Sequence, residues 1–276
     1  MERHEYDTMA RLEDTHWWYR NIRQLVSRTL HSECKGRRPR VLDVGCGTGG
    51  GIASIANRFP DSLLVGVDVE EVALRYSSRR GDGVVARASA HALPFRDGSF
   101  DVITLIDLLY IEGLNDQVTI HEAYRVLQQG GLLVVNVPAF EWLRGEHDMA
   151  VRTRHRYRKE EIGRLLAGNG FGIKKLLYWN WVLFPVVGFV RNVLAPVRPR
   201  ATPKSDVRSL PKWLNSLLAG LLFIDIALAA KIRFPIGASV FCMAYKKHGN
   251  LVDAAAQKAF PSGMAACHDV PRSATV

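Results

Sequence analysis

A chain of 276 residues, 47% hydrophobic and 23% charged, suits one α/β domain with additions, and a core of that size needs no disulfide or metal staples. Its four cysteines (Cys34, Cys46, Cys242, Cys267) show no Cys/His ligand spacing, which argues against a zinc site or a disulfide framework and fits a reducing compartment. The net charge of +10 admits nucleic acid, an anionic membrane or an acidic partner, but the clusters Arg37–Arg40, Arg152–Lys159 and Arg198–Arg208 lack the aromatic interleaving of a nucleic-acid groove.

The N-terminus, Met1–Glu13, is charged rather than apolar and has no signal-peptide pattern. Trp17, Trp18, Ile22, Leu25, Val26, Thr29 and Leu30 recur at helical spacing, so residues 1–37 are expected to form a helical lid ended by Pro39. An alternation follows over 38–179. Strands are predicted at Val41–Val44, Leu63–Asp68, Val84–Ala88, Phe100–Leu105, Leu132–Val137 and Phe171–Trp179. Helices are predicted at Ile52–Phe59, Glu70–Arg79, Asp116–Leu127, closed by Gly130-Gly131, and Lys159–Asn169. This pattern predicts a Rossmann-like, doubly wound, mostly parallel sheet with helices on both faces.

Residues 180–235 break the rhythm with six prolines among apolar segments. They read as a helical insertion: two apolar helices joined by a basic, proline-rich linker near 196–211. The apolar runs Trp181–Val190 and Leu217–Ala230 fall short of a bilayer span, and Pro185 and Asp225 interrupt them. A last strand, Ser239–Tyr245, lies within 236–248, and 249–276 reads as a disordered tail.

The strongest motif is Val41-Leu-Asp-Val-Gly-Cys-Gly-Thr-Gly-Gly50, a strand, a glycine turn and a helix start. Gly45-x-Gly47-x-x-Gly50 formally fits a dinucleotide fingerprint, weak evidence by itself. Asp43 within the strand would repel a pyrophosphate. Gly66-Val-Asp68 then ends the second strand, where an acid can accept hydrogen bonds from both ribose hydroxyls. Further on come Ala90–Phe100 with Leu93-Pro94-Phe95 and Phe100-Asp101, then Arg125-Val126-Leu127 with Gly130-Gly131.

In order and spacing these elements resemble class I S-adenosylmethionine-dependent methyltransferases, of the methyltransferase type 11-like, small-molecule kind, over about residues 38–140. The glycine loop resembles their motif I, and the stretch from Ala90 their "DAxxLPFxDxSFD". The resemblance implies S-adenosylmethionine as cofactor, held by Asp43, Gly45, Cys46, Gly47, Gly49, Asp68, Val69, Ser89, Ala90 and Asp107. Ser89 stands where the family often has an acid near adenine, and Leu109-Tyr-Ile-Glu112 lacks the histidine of some relatives.

Two segments are candidates for the acceptor side. His16-Trp17-Trp18-Tyr19-Arg20 offers aromatic faces that attract a sulfonium and close out water. Val137–Asp148, followed by Arg154-His-Arg-Tyr157, resembles a "vPa…wLxxxHD…HxRRY" stretch in some bacterial members. His147 and His155 are candidate bases, with Asp148 orienting one of them. Trp17, Trp18, Tyr19, Arg20, Arg156 and Tyr157 are the expected acceptor contacts, and no metal is expected.

The expected function is methyl transfer to a small-molecule, saccharide or lipid-linked acceptor, with O-methylation favoured by the histidines. The rivals are a non-catalytic module of the same fold, acting at a membrane or on a partner enzyme, and an NAD-dependent oxidoreductase. Specific nucleic-acid binding is not expected, because Asp107-Leu-Leu-Tyr110 replaces an Asn/Asp-Pro-Pro-Tyr motif. Cations flanking the apolar runs of 180–235 suggest membrane-surface contact beside a role as a cap or interface. The expected location is the cytoplasm, at the inner face of the membrane if that contact is made.

Overall fold

The computed structural model describes residues 3–194, 207–229, 231, 232 and 234–247. Seven strands form one sheet: β1 (Val41–Val44), β2 (Leu64–Asp68), β3 (Val84–Arg87), β4 (Phe100–Ile106), β5 (Leu127–Pro138), β6 (Phe171–Trp179) and β7 (Ser239–Lys246). Their spatial order is β3-β2-β1-β4-β5-β7-β6. The first five pair in parallel, and β7 runs antiparallel between β5 and β6. The Rossmann-like, doubly wound reading of the sequence therefore holds.

Both faces of the sheet are covered, which is why its central strands read as short unbroken apolar runs. On one face pack α2 (Trp17–Glu33), α3 (Gly50–Ala56), α4 (Glu71–Arg80) and α9 (Lys212–Ala229), through Ile22, Leu30, Ile52, Leu74, Leu222 and Ile226. On the other lie α5 (Asp116–Val126) and α7 (Lys159–Gly168), through Ile120, Ala123, Ile162 and Leu166. The edge strand β3 is half exposed, so its sequence signal is weak. A further helix, α1 (Arg3–Leu12), precedes α2, and α8 (Phe184–Phe189) begins the insertion.

The structure departs from the sequence reading at several points. Gly130-Gly131 does not close α5. It lies inside β5, where the register against β4 jumps from Phe100↔Leu127 to Val102↔Leu132, and Gly130 takes φ 71° in that bulge. The stretch after β5 folds into a 3-10 turn at Glu141–Leu143 and a short α6 (Glu146–Ala150). Pro185 starts α8 rather than breaking it, since the first turn needs no proline N–H. The second apolar run is longer than expected: α9 has 18 residues with mean hydropathy 1.5, and is the one described helix long and apolar enough to cross a membrane. Part of the expected linker, 196–206, and the expected tail from 249 lie outside the described residues.

Topology places the site. From β1 the chain winds outward to β2 and β3, then returns to β4 on the opposite side. The crevice at this switch point opens beyond the C-terminal ends of β1 and β4, and α1 and α2 lie over it.

Candidate active site

A cavity of about 630 Å³ fills the crevice. Its floor is the glycine loop. Gly45 takes φ 76° and its N–H donates to Val67 O at 2.8 Å, and a Cβ there would press on Leu108 at 2.8 Å. Gly47, at φ 53°, donates its N–H to Asp68 Oδ2 at 3.0 Å, while Glu70 N–H donates to Asp68 Oδ1 at 3.0 Å. Asp68 thus ties the tip of β2 to the loop from β1. Burial pushes its carboxyl up against the pull of those N–H groups.

Two more aspartates line the cavity. Asp43 is buried, accepts from the Thr104 hydroxyl at 2.6 Å, and is pushed up to about 6 by burial. Asp107 ends β4 with φ 54°, a conformation strained for an aspartate, and burial pushes it up to about 6 as well. It accepts from Asn136 Nδ2 at 2.8 Å and from the Trp18 side chain. Asn136 Oδ1 accepts Trp179 Nε1–H at 2.9 Å, and Trp179 stacks on Trp18 with centroids 5.0 Å apart. The lid tryptophan is therefore clamped at its polar edge and on its face.

The roof comes from the N-terminal helices. Tyr6, Met9, Trp18 and Tyr19 line the cavity, and Met9 lies 3.1 Å from where a Cβ of Gly47 would stand. His16 caps α2 by accepting Trp18 N–H at 3.3 Å, and burial lowers its imidazole to about 4, so it stays neutral. Buried Glu13 holds Arg23 and Arg80, each at 2.6 Å. Asp14 joins the same arginines at 3.1 Å, and Arg80 Nε–H donates to Thr48 O at 3.0 Å. This network latches the α1–α2 elbow to the glycine loop. No motif announces it, because Glu13 and Arg80 are 67 residues apart in sequence. Met9, Glu13 and Arg23 are site residues that the sequence reading missed.

Of the expected cofactor contacts, Asp43, Gly45, Cys46, Gly47, Asp68, Val69, Ser89, Ala90 and Asp107 all line the cavity. Gly49 does not: at φ 89° it packs on α4, where a Cβ would overlap Ser77. Ser89 is exposed, and its Oγ accepts His91 N–H at 3.2 Å.

The acceptor-side expectations divide. Trp18, Tyr19 and His147 line the cavity, together with Tyr110, Val151 and Arg152, which were not singled out. His155 stands outside, its ring beside Glu161 at 3.4 Å and Glu141 at 3.7 Å. Asp148 is engaged as a structural carboxylate: Arg156 holds it at 2.8 Å, Arg191 at 3.3 Å and Gly145 N–H at 2.8 Å. A buried guanidinium is permanently charged and outcompetes an imidazole for that position. Arg156 itself is buried, with its Nε–H on Ala139 O and Phe140 O. The Tyr157 hydroxyl lies 2.8 Å from Asp116 and 3.0 Å from Leu109 O. Both brace the loop from behind. Trp17 does not line the cavity, its backbone N–H donating to Asn215 Oδ1 at 2.9 Å, and Arg20 lines a separate groove.

Comparison with known proteins agrees with this geometry. A family described as a methyltransferase domain matches residues 42–135. Demethylmenaquinone methyltransferase of Thermus thermophilus is 31% identical over 162 residues, 56% of this chain and 72% of that protein. The chain belongs to the class I S-adenosylmethionine-dependent methyltransferases. Malonyl-[acyl-carrier protein] O-methyltransferase of Geobacter sulfurreducens is 30% identical over 149 residues, 48% of this chain and about half (55%) of that one. An S-adenosylmethionine-dependent methyltransferase of Mesorhizobium loti shares the fold with TM-score 0.54 and 15% identity, covering 84% of this chain and 99% of that one.

The residues present suit the cofactor of this methyltransferase family. Asp43, Asp68 and Asp107 share one cavity whose only lining arginines among the described residues are Arg23, already bound by Glu13, and Arg152. That surplus of negative charge welcomes a sulfonium and an ammonium, and repels a pyrophosphate.

Proposed function

We propose that this methyltransferase acts on an apolar or lipid-linked acceptor and methylates an oxygen. The observation that carries the reading is the lining of the cavity, which includes His147 together with Trp18, Tyr19, Tyr110 and Val151. Aromatic and aliphatic walls suit an apolar acceptor, and the His147 imidazole can take the proton from a hydroxyl. The names of two relatives each support one half of the reading: one acts on a demethylmenaquinone, an apolar acceptor, and the other is an O-methyltransferase of a malonyl-[acyl-carrier protein].

In this reading Asp68 holds the ribose hydroxyls, and Ser89 and Ala90 flank the adenine. Asp43, Gly45 and Gly47 receive the amino-acid end, and Asp107 stands at the sulfonium side. The bound cofactor supplies a methyl group already activated on sulfur. The chain's own work is alignment, exclusion of water by Trp18 and Tyr19, and removal of one proton by His147.

Incubation with methyl-labelled S-adenosylmethionine tests this, against a panel of long-chain phenols, isoprenoid alcohols, sugars and amines. Label should move into the organic phase, on oxygen, and His147→Ala should slow transfer by about 10²-fold or more with cofactor affinity retained. Label confined to water-soluble amines would contradict the assignment.

A further inference from the structure

Among the described residues the outer face of α9 is open except at Phe223, where the Arg28 guanidinium lies over the ring. Its exposed positions, Trp213, Leu217, Gly220, Phe223, Ile224 and Ala227, with Ser216 between them, fall three or four residues apart and form one stripe. Trp213 is 70% exposed, and no charge interrupts the stripe. Lys212 stands at one end of the helix and exposed Lys231 just past the other.

The opposite face explains why the helix lies along the molecule instead of leaving it. Leu222 and Ile226 sit in the core, and Asp225, fully buried, accepts three N–H groups: Asn180 at 2.8 Å, Trp181 at 2.7 Å and Val182 at 3.0 Å. Withdrawing α9 would leave that carboxylate and three donors without partners.

Beside the stripe runs an open groove of about 830 Å³ between α2, α3 and α9. Gly220 and Phe223 form its apolar wall, and Arg20, Arg23, Arg58 and Arg80 line it against the acids Asp14 and Asp82. Arg23 and Arg80 are engaged by Glu13 and Asp14. Arg20 and Arg58 are exposed and carry no ion pair among the described residues, and Arg28, also exposed, lies 4.7 Å from the centre of the Phe223 ring. An apolar helix face about 22 Å long, bordered by guanidinium groups that carry no ion pair among the described residues, has the chemistry of an interfacial anchor.

We propose that α9 and this groove seat the protein on an anionic lipid surface, the stripe in the acyl boundary and Arg20, Arg28 and Arg58 on headgroup phosphates. A second copy of the chain fits less well, because a two-fold contact across the stripe would bring like cations together. The proposal stands whatever the acceptor is. It also gives α2 two roles: Trp18 and Tyr19 roof the cavity, and Arg20 faces the membrane.

Flotation of the full chain with phosphatidylcholine vesicles, with and without phosphatidylglycerol, is the test. The protein should float only with the anionic vesicles, and added salt should release it. Trp213→Ser with Leu217→Ser, and separately Arg20→Glu with Arg58→Glu, should each weaken vesicle binding about tenfold or more, with thermal melts unchanged. Absence of flotation with anionic vesicles, or equal flotation with neutral ones, would overturn the proposal. So would binding of inorganic phosphate without binding of vesicles. A lipid-free dimer by light scattering, abolished by the Trp213 and Leu217 pair, would show that a second copy covers the stripe.

Discussion

The floor and the roof of the cavity are built on different principles. The floor is local: Gly45, Gly47 and Asp68 lie within 24 residues of one another, and their geometry follows from backbone turns and two N–H bonds to one carboxylate. The roof is held by contacts between distant parts of the chain: Glu13 to Arg80, Trp18 to Asp107 and Trp179, Asn215 to the α1–α2 turn. A floor of this kind suits a cofactor that never changes. A roof of this kind can be reshaped for a new acceptor without disturbing the glycine loop.

The sharpest way to break the comparison is to unlatch the roof. Glu13→Ala leaves Arg23 and Arg80 half-buried with Asp14 as their one remaining carboxylate, and should cost roughly 3–5 kcal/mol in denaturant unfolding. A cost under about 1 kcal/mol would mean that the latch is incidental. Next in size is Asp225→Ala, which strips three backbone donors of their acceptor and loosens α9 from β6. A loss of about 2–3 kcal/mol is expected.

Acidity gives a smaller effect with a defined sign. Asp43 and Asp107 are pushed up to about 6, above unfolded values near 4, so their protonated forms favour the fold. Without cofactor, their contribution is fully present below about pH 4 and is lost as pH rises through about 6. Affinity for the S-adenosylmethionine cation should run the other way, rising by up to about tenfold per pH unit between about pH 5 and 7. The product S-adenosylhomocysteine, which lacks the sulfonium, should show a flatter profile by calorimetry. Parallel profiles would detach Asp107 from the sulfonium.

The same contrast decides what the sequence could reveal. The alternation of strands and helices was legible because each element carries its own periodicity, and nearly all the floor residues were legible because they crowd one motif. Gly49 was misplaced because glycine spacing does not say whether a missing side chain makes room for a ligand or for Ser77. The role of Asp148 is hidden because a His-Asp pair in sequence says nothing of a competing arginine eight residues on, and that of His155 because its neighbours Glu141 and Glu161 hold it outside the cavity. Asp225 looked like a break in an apolar run, and is the carboxylate that fixes that run to the sheet. None of these partners is signalled by spacing, since each depends on which surfaces the fold brings together.

The most direct test of the division between floor and roof is calorimetric titration of the native protein, Asp68→Ala and His147→Ala with S-adenosylmethionine. The account predicts that Asp68→Ala loses about 1–3 kcal/mol of binding, while His147→Ala binds as the native protein does. Equal losses in the two variants, or a loss confined to His147→Ala, would contradict it.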